Sequence, residues 1–216
     1  MLALPLALLG IFDVWITSPL ADAVKFQVFD FYCQGATERF VRSAKADVVE
    51  LDYWPYSGVI EDRYYATNLA RDLLSGSPRI QSVHLVFELP RDKVVESSCA
   101  GKYVHVASVP GDVNQAVSGC GRMMRYDAAK APRYAVRYSY AKPNIFAVRE
   151  FTISVTDTVT KEVLATQRSY QLLLGGMNSR ENRVWYGWGS AQGAKVCSLT
   201  PPKDFIMKAI GGDADG

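Results

Sequence analysis

Residues 133–174 contain three segments in which apolar and polar side chains alternate, separated by two short polar turns. The segments read RYAVRYSYA (133–141), IFAVREFTISV (145–155) and EVLATQRSYQLLL (162–174), with turns at 142–144 and 157–161. Alternation with a period of two places one set of side chains against a core and the other set in water. The pattern therefore predicts a three-stranded antiparallel meander, and burial of one face explains it without any functional role.

Other segments extend this sheet. Segments rich in β-branched and aromatic residues predict strands over 24–33, 47–56, 82–90 and 102–109. One helix is predicted over 60–75 with Gly76 at its end, and a second over 203–210 with Thr200 as its N-cap. The second helix would bury Phe205, Ile206 and Ile210. No repeat or linker interrupts the chain, so we expect a single α+β domain with a mainly antiparallel sheet of about seven strands and two helices.

The first 23 residues, MLALPLALLGIFDVWITSPLADA, are mostly apolar and contain no lysine or arginine. They end with small residues at Ala21 and Ala23, the spacing of a signal-peptidase site. Pro5, Asp13 and Pro19 break the uninterrupted apolar run that a membrane anchor needs. A buried first strand or helix is the alternative. The sequence predicts a signal peptide over 1–23 and a mature domain over 24–216, periplasmic or secreted, without a stable membrane span.

Four cysteines fit an exported protein: Cys33, Cys99, Cys120 and Cys197. Four cysteines allow three pairings, and we expect Cys99–Cys120 and Cys33–Cys197, the second of which ties together the two ends of the mature domain. Each bond would stabilise the fold by about 2–4 kcal/mol, mainly by restricting the unfolded chain. The absence of a C-x-x-C motif gives no support to a thioredoxin-type site or a zinc knuckle.

Charge and motifs favour few functional classes. The formal net charge is +2 and no run of lysine and arginine occurs, so electrostatics does not indicate a nucleic-acid partner. His84 and His105 could face each other if their strands pair, but a metal site needs three or four ligands. GWGSAQG (187–193) has its glycines at the wrong offsets for a nucleophile elbow or a phosphate loop. We therefore predict no metal, no cofactor and no catalytic residue.

Carboxylates supply the alternative function. Glu50 and Asp52 lie two apart in a predicted strand and therefore share a face, and Glu61 and Asp62 are adjacent at a helix start. A carboxylate pair across a cleft is the usual catalytic set of a glycosidase. Such pairs are also common on solvated sheet faces, so a glycan or cell-wall hydrolase using carboxylates near residues 50–62 is the second hypothesis.

The segment 175–195, GGMNSRENRVWYGWGSAQGAK, is the preferred functional region. It is long and glycine-rich, and it carries residue types that dominate binding hot spots: Arg180, Arg183, Trp185, Tyr186 and Trp188. The alternative is that Trp185 and Trp188 fold back over an open end of the sheet. We expect a non-catalytic extracytoplasmic protein that binds a protein partner here, such as an envelope assembly factor or an inhibitor, with a glycan as a second type of ligand.

Overall fold

The structure is a computed structural model that describes residues 19–53, 60–89, 101–112, 124–173, 194–197 and 199–211. The helices in these ranges are α1 (Pro19–Cys33), α2 (Ile60–Gly76) and α3 (Pro202–Ile210), with a short 3-10 helix at Ala128–Lys130. The strands are β1 (Thr37–Phe40), β2 (Val48–Tyr53), β3 (Ser82–Leu89), β4 (Gly101–Ala107), β5 (Met124–Arg125), β6 (Tyr134–Tyr140), β7 (Val148–Asp157), β8 (Val163–Leu173) and β9 (Ala194–Val196).

All nine of these strands form one sheet with the order β1-β8-β7-β6-β2-β3-β4-β5, and β9 pairs with β8. Six ladders are antiparallel and two are parallel. The predicted α+β domain with a mainly antiparallel sheet is therefore confirmed, although the described residues contain three helices and nine strands instead of two and about seven. The strands that the sequence did not indicate are β1, β5 and β9, which have two to four residues each.

The parallel ladders surround β2, which lies between β6 and β3. Helix α2 connects β2 to β3 and returns the chain to the same end of the sheet, as a crossover helix between parallel strands must. Its buried residues include Ala70 and Leu73, which pack against Val49, Leu51 and Leu85 of the two strands in one hydrophobic core. The local prediction of strand, helix and strand is confirmed, whereas the parallel pairing of β2 with β6 was not expected.

The two faces of the sheet are covered by different elements. On the α2/α3 face, Val136, Ile153 and Val155 join residues of α2 and α3 in the larger core. The opposite face, here called the α1 face, carries a smaller core at one end, where Phe29 of α1 packs against Val148, Tyr170, Leu172 and Cys197. Side chains alternate between the faces along each strand, so a residue's register decides which face it serves.

The predicted strand over 24–33 is wrong, because these residues form the second part of α1. Phe26, Phe29 and Cys33 recur every three or four residues and contact the sheet together, while Phe31 between them is 70% exposed. A spacing of three or four residues is that of a helix. In the sequence, however, the first five residues of this short stretch alternate between apolar and polar side chains, which indicated a strand. Ala23, the last residue of the predicted signal peptide, lies within α1.

Helix α3 confirms the prediction over 203–210 and buries Phe205, Ile206 and Ile210 completely. Its N-cap is Pro201, so the assignment of Thr200 as N-cap is wrong. The Thr200 hydroxyl instead donates to Glu38 Oε2 at 2.9 Å, and its backbone N–H donates to Glu38 Oε1 at 2.7 Å. A carboxylate on β1 thus fixes the residue before the N-cap of α3 to the sheet.

The meander β6-β7-β8 is confirmed, including its turn at 157–161. Asp157 Oδ1 accepts hydrogen bonds from the backbone N–H groups of Val159 and Thr160, and Oδ2 accepts from Arg133 Nε at 3.0 Å. The Asp157 side chain is fully buried. The hydrogen bond and charge of Arg133 and the two backbone donors lower the pKa of this carboxyl, so the aspartate fixes the hairpin in its ionised form.

In the described part of the chain, no helix combines the length and the apolar character that are needed to cross a membrane.

Candidate functional site

All five residues predicted for partner binding lie outside the described residues. Arg180, Arg183, Trp185, Tyr186 and Trp188 all fall within 174–193, for which the structure gives no description. The predicted bond Cys99–Cys120 also lies outside the described ranges. The structure does describe both ends of the 174–193 segment, and it describes the carboxylates at 50 and 52.

The two ends of the 174–193 segment leave and re-enter the sheet side by side. Strand β8 ends at Leu173, and β9 begins at Ala194, which is its direct antiparallel partner. The pairs Leu172–Lys195 and Gln171–Val196 continue this ladder. Residues 194–195, which the sequence placed in an irregular connection, therefore belong to a strand, and the segment is closed at its base like a long hairpin.

A disulfide fixes this base to the sheet. Cys33, the last residue of α1, is bonded to Cys197, directly after β9, with a Cα–Cα distance of 5.4 Å. The predicted pairing Cys33–Cys197 is thus confirmed. Lys195 Nζ lies 3.1 Å from Asp30 Oδ1 and 5.3 Å from the centre of the Phe26 ring, which adds two contacts between β9 and α1. The base of the segment is therefore held by a ladder, a covalent bond and an ion pair.

Strand β8 carries buried polar side chains towards this base. Gln167, Ser169 and Gln171 are fully buried, and Gln171 accepts a hydrogen bond of 2.7 Å from Arg149 Nε on β7. Among the residues that the structure describes, Gln167 Oε1, Ser169 Oγ and Gln171 Nε2 have no hydrogen-bond partner. An unpaired buried polar atom costs about 1–3 kcal/mol, so this row departs from ordinary core packing.

A second polar cluster lies on the α1 face, where strand pairing brings together side chains from distant parts of the chain. We call it the Glu50 cluster: Glu50, Asp52, Lys102, Tyr126 and Arg137. Glu50 of β2 is 2% exposed and accepts a hydrogen bond of 3.0 Å from the hydroxyl of Tyr126, which follows β5. The backbone N–H of Tyr126 donates to the carbonyl of Lys102, and Lys102 Nζ lies 4.2 Å from the centre of the Tyr126 ring. Tyr126 thereby extends over the sheet from its edge to the central strand.

Asp52 lies on the same face of β2, as the sequence predicted. Its carboxylate is 3.5 Å from Arg137 Nε on β6 and 3.8 Å from Lys102 Nζ on β4. The side chain of Asp52 is 19% exposed, and that of Arg137 is 60% exposed. The two carboxylates of β2 thus have unequal surroundings, since Glu50 is enclosed beside a phenol and Asp52 lies between two cations near the solvent.

These surroundings shift the pKa values of three side chains on this face. Burial raises the pKa of Glu50, and the nearby charge of Asp52 raises it further, against the opposing effect of the Tyr126 hydrogen bond. Burial and the Glu50 carboxylate raise the pKa of Tyr126 to about 12. Burial also lowers the pKa of His84, which is the register partner of Glu50 on β3. A buried carboxyl that gains a proton more readily than usual can act as a general acid.

The histidines do not form a metal site. Strands β3 and β4 pair, but His84 is opposite Val106 and His105 is opposite Leu85, so the two imidazoles point to opposite faces. The expectation that pairing would bring them together is therefore wrong. His105 Nε2 lies 3.0 Å from the carbonyl oxygen of Asp112. Among the described residues, no three side chains of histidine, cysteine, aspartate or glutamate lie close enough to hold a metal ion.

Sequence reasoning identified only part of the Glu50 cluster. It placed Glu50 and Asp52 on one face, but the side chains of Glu61 and Asp62 lie outside the described residues. It missed Lys102, Tyr126 and Arg137, because strand order and register bring them to β2 from far along the chain. Lys102 and Arg137 each lie in a predicted strand, and that was the available signal for them. Tyr126 lies in no predicted element, so the sequence carried no signal for it.

No protein-family model, no curated protein and no solved structure matches this chain.

Proposed function

We propose that the protein is a non-catalytic extracytoplasmic protein, periplasmic or secreted, which binds a protein partner through the 174–193 segment. The observation that carries this proposal is the closed base of the segment, where β8, β9 and the Cys33–Cys197 bond hold both ends at one place. Fixing the ends of a binding loop reduces the entropy that is lost when it engages a partner.

The same bond supports the proposed location. Disulfides persist in oxidising compartments such as the periplasm and the extracellular space. Cys33 lies after the predicted signal-peptidase site at Ala23, so cleavage there would leave both bonded cysteines in the mature chain. The partner would be another envelope or secreted protein, for example one that requires assistance in assembly or one that is inhibited.

Replacement of Trp188 by alanine tests the binding segment. We expect Trp188→Ala to reduce capture of the partner from envelope extract at least tenfold, because a central tryptophan commonly contributes about 2 kcal/mol or more to an interface. The melting temperature should change by no more than a few degrees. Capture is measured by cross-linking pull-down with quantitative mass spectrometry of the wild type and the variant.

Phe31→Ala is the matched control, since Phe31 is an exposed aromatic residue of α1 outside the segment. This control should retain both capture and melting temperature. Unchanged capture by Trp188→Ala contradicts the proposal. A large loss of stability in Trp188→Ala also contradicts it, because that result places Trp188 in the core and assigns the segment a packing role.

A hydrolase of glycan or cell-wall material is the second candidate, and the Glu50 cluster favours it. Retaining glycosidases use two carboxyl groups with different protonation states, one as acid and the other as nucleophile. Burial gives Glu50 the environment of the acid, and Asp52, which lies 3.5 Å from Arg137 Nε and 3.8 Å from Lys102 Nζ, would be the second carboxyl group. Residues two apart on a strand have Cα atoms roughly 7 Å apart, which allows carboxylate separations of this class.

Glu50→Gln separates catalysis from a structural role. At neutral pH the variant should be more stable than the wild type, because ionising a buried carboxyl whose folded pKa is raised costs stability. The sign is set by linkage: the folded state holds the proton more tightly, so wild-type stability falls as pH rises from about 4.3 through the folded pKa of Glu50. The difference should vanish below about pH 4, as measured by urea unfolding.

In the hydrolase candidate, Glu50→Gln also lowers the release of reducing ends from cell-wall glycan at least a hundredfold. Glu162→Gln, an exposed glutamate in the β7–β8 turn, is the matched control and should retain activity. No release by the wild type, or full release by Glu50→Gln, eliminates this candidate and leaves the partner-binding proposal intact.

A further inference from the structure

The middle of the α1 face carries a row of polar side chains, of which only Arg137 also belongs to the Glu50 cluster. The register aligns Arg39 of β1 with Thr166 of β8, Thr166 with Ser154 of β7, and Ser154 with Arg137 of β6. In the next row, Arg168 of β8 is aligned with Thr152 of β7. We call these six residues the arginine–hydroxyl patch: Arg39, Arg137, Thr152, Ser154, Thr166 and Arg168.

This patch is accessible on the surface. The three arginines are exposed, and the three hydroxyl residues between them are half-buried. With strands about 4.8 Å apart, the three register steps from Arg39 to Arg137 span roughly 14 Å. No residue of the patch is acidic, although Asp52 lies beside Arg137 at one corner and Glu150 lies two residues before Thr152 on β7, on the same face. Arg168 also donates to the carbonyl of Gly35.

We propose that the arginine–hydroxyl patch binds an anionic polysaccharide, whose carboxylate or sulfate groups are held by the arginines. Guanidinium groups bind such anions through paired hydrogen bonds, and they remain charged throughout the physiological pH range. Serine and threonine hydroxyls between the arginines both donate and accept hydrogen bonds, which matches the hydroxyl groups of a sugar chain. The ligand is therefore a polymer that presents negative charge and hydroxyl groups together.

Other polyanions fit this patch less well. Single-stranded nucleic acids need aromatic side chains on which bases stack, and the patch has none. Membrane binding needs apolar side chains that enter the lipid, whereas the residues at the centre of the patch are polar and lie on the sheet surface beside α1. Arg137 also contacts Asp52, so a chain bound along the patch would reach the edge of the Glu50 cluster.

The test measures binding of the full chain to heparin, polygalacturonic acid and neutral dextran by biolayer interferometry at low salt. We expect binding to the two anionic polymers, none to dextran, and a loss of affinity at about 0.5 M salt, where charges are screened within a few ångströms. The variant Arg39→Gln/Arg137→Gln/Arg168→Gln should lose about tenfold to a hundredfold in affinity, since exposed charge pairs each contribute modestly.

A second triple variant, Lys130→Gln/Lys142→Gln/Lys161→Gln, changes the net charge equally through three exposed lysines outside the patch. It should lose less than threefold. Equal losses in the two triple variants, or no binding to either anionic polymer, overturn the proposal, as does tighter binding to acidic phospholipid vesicles or single-stranded DNA. Far-UV circular dichroism and thermal melting of the arginine variant must match the wild type; a weakened affinity together with unfolding counts against the patch.

The two anionic polymers also identify the group that is recognised. Carboxylates lose their charge near pH 4, whereas sulfates keep theirs. Binding to polygalacturonic acid that disappears at pH 3, with heparin binding retained, supports the proposal and shows that either group is accepted. Binding to heparin alone at pH 7 supports it with sulfate as the recognised group. These outcomes are independent of Trp188 and Glu50, so failure here differs from failure of the proposed function.

Discussion

The double replacement Cys33→Ala/Cys197→Ala is expected to lower the free energy of unfolding by about 3–5 kcal/mol. The bond joins residues 164 positions apart and so closes most of the chain into one loop. A crosslink stabilises mainly by restricting the unfolded chain, and the restriction grows with loop length. Urea unfolding followed by tryptophan fluorescence and circular dichroism, without reductant, measures the change in midpoint and slope.

The slope provides an independent check on this mechanism. Without the bond, the unfolded chain is less compact and exposes more surface, so the dependence of the unfolding free energy on urea should become steeper. Each single replacement should cost nearly as much as the double one, since either removes the same bond. Equal unfolding free energies for the double variant and the wild type would mean that the bond contributes no stability and that α1 is held by its non-covalent contacts alone.

Phe205→Ala is expected to lower the free energy of unfolding by about 3–5 kcal/mol. Phe205 is fully buried where α3 packs on the sheet, and its ring centre lies 5.1 Å from that of Phe40 on β1. Truncation removes apolar contacts from the larger core and leaves a cavity between α3 and β1. Urea unfolding provides the measurement, with far-UV circular dichroism to confirm that the variant folds.

The matched control for Phe205→Ala is Phe31→Ala, in which the same side chain is removed from a site that is 70% exposed. This control should change the unfolding free energy by less than about 0.5 kcal/mol. Phe205→Leu should cost less than Phe205→Ala, because it keeps most of the buried volume. Similar losses for Phe205→Ala and Phe31→Ala would contradict the packing of α3 described above.

The sequence predicted the elements that carry long regular patterns. The meander was predictable because ten or more alternating residues in β7 and β8 leave no other interpretation. Helix α2 was predictable from its length and from its end at Gly76. By contrast, β5 has only Met124 and Arg125, which is too short for a period to be visible. Such a strand forms because a neighbouring strand offers hydrogen-bonding groups, and that information is not local.

The Glu50 cluster was only half predictable for a similar reason. Glu50 and Asp52 lie on one strand, so their common face follows from geometry alone. Tyr126 reaches Glu50 from 76 residues away, and only the complete strand order shows this contact. Helix α1 illustrates the opposite failure, since Val24, Phe26 and Val28 imitate the alternation of a strand. Tertiary packing of Phe29 against Leu172 then selects the helix.

The position of β2 between two parallel neighbours has a consequence for how the chain reaches its native state. The meander is built from contacts between adjacent segments and can form early, whereas the ladder between β2 and β6 joins residues such as Val49 and Tyr134 that are far apart in sequence. Closing so long a loop is slow, because its entropy is lost before the paired strands compensate for it. We therefore expect the β2–β6 ladder to form in the rate-limiting step of folding. Until it forms, the backbone hydrogen-bonding groups on one edge of β6 remain unpaired.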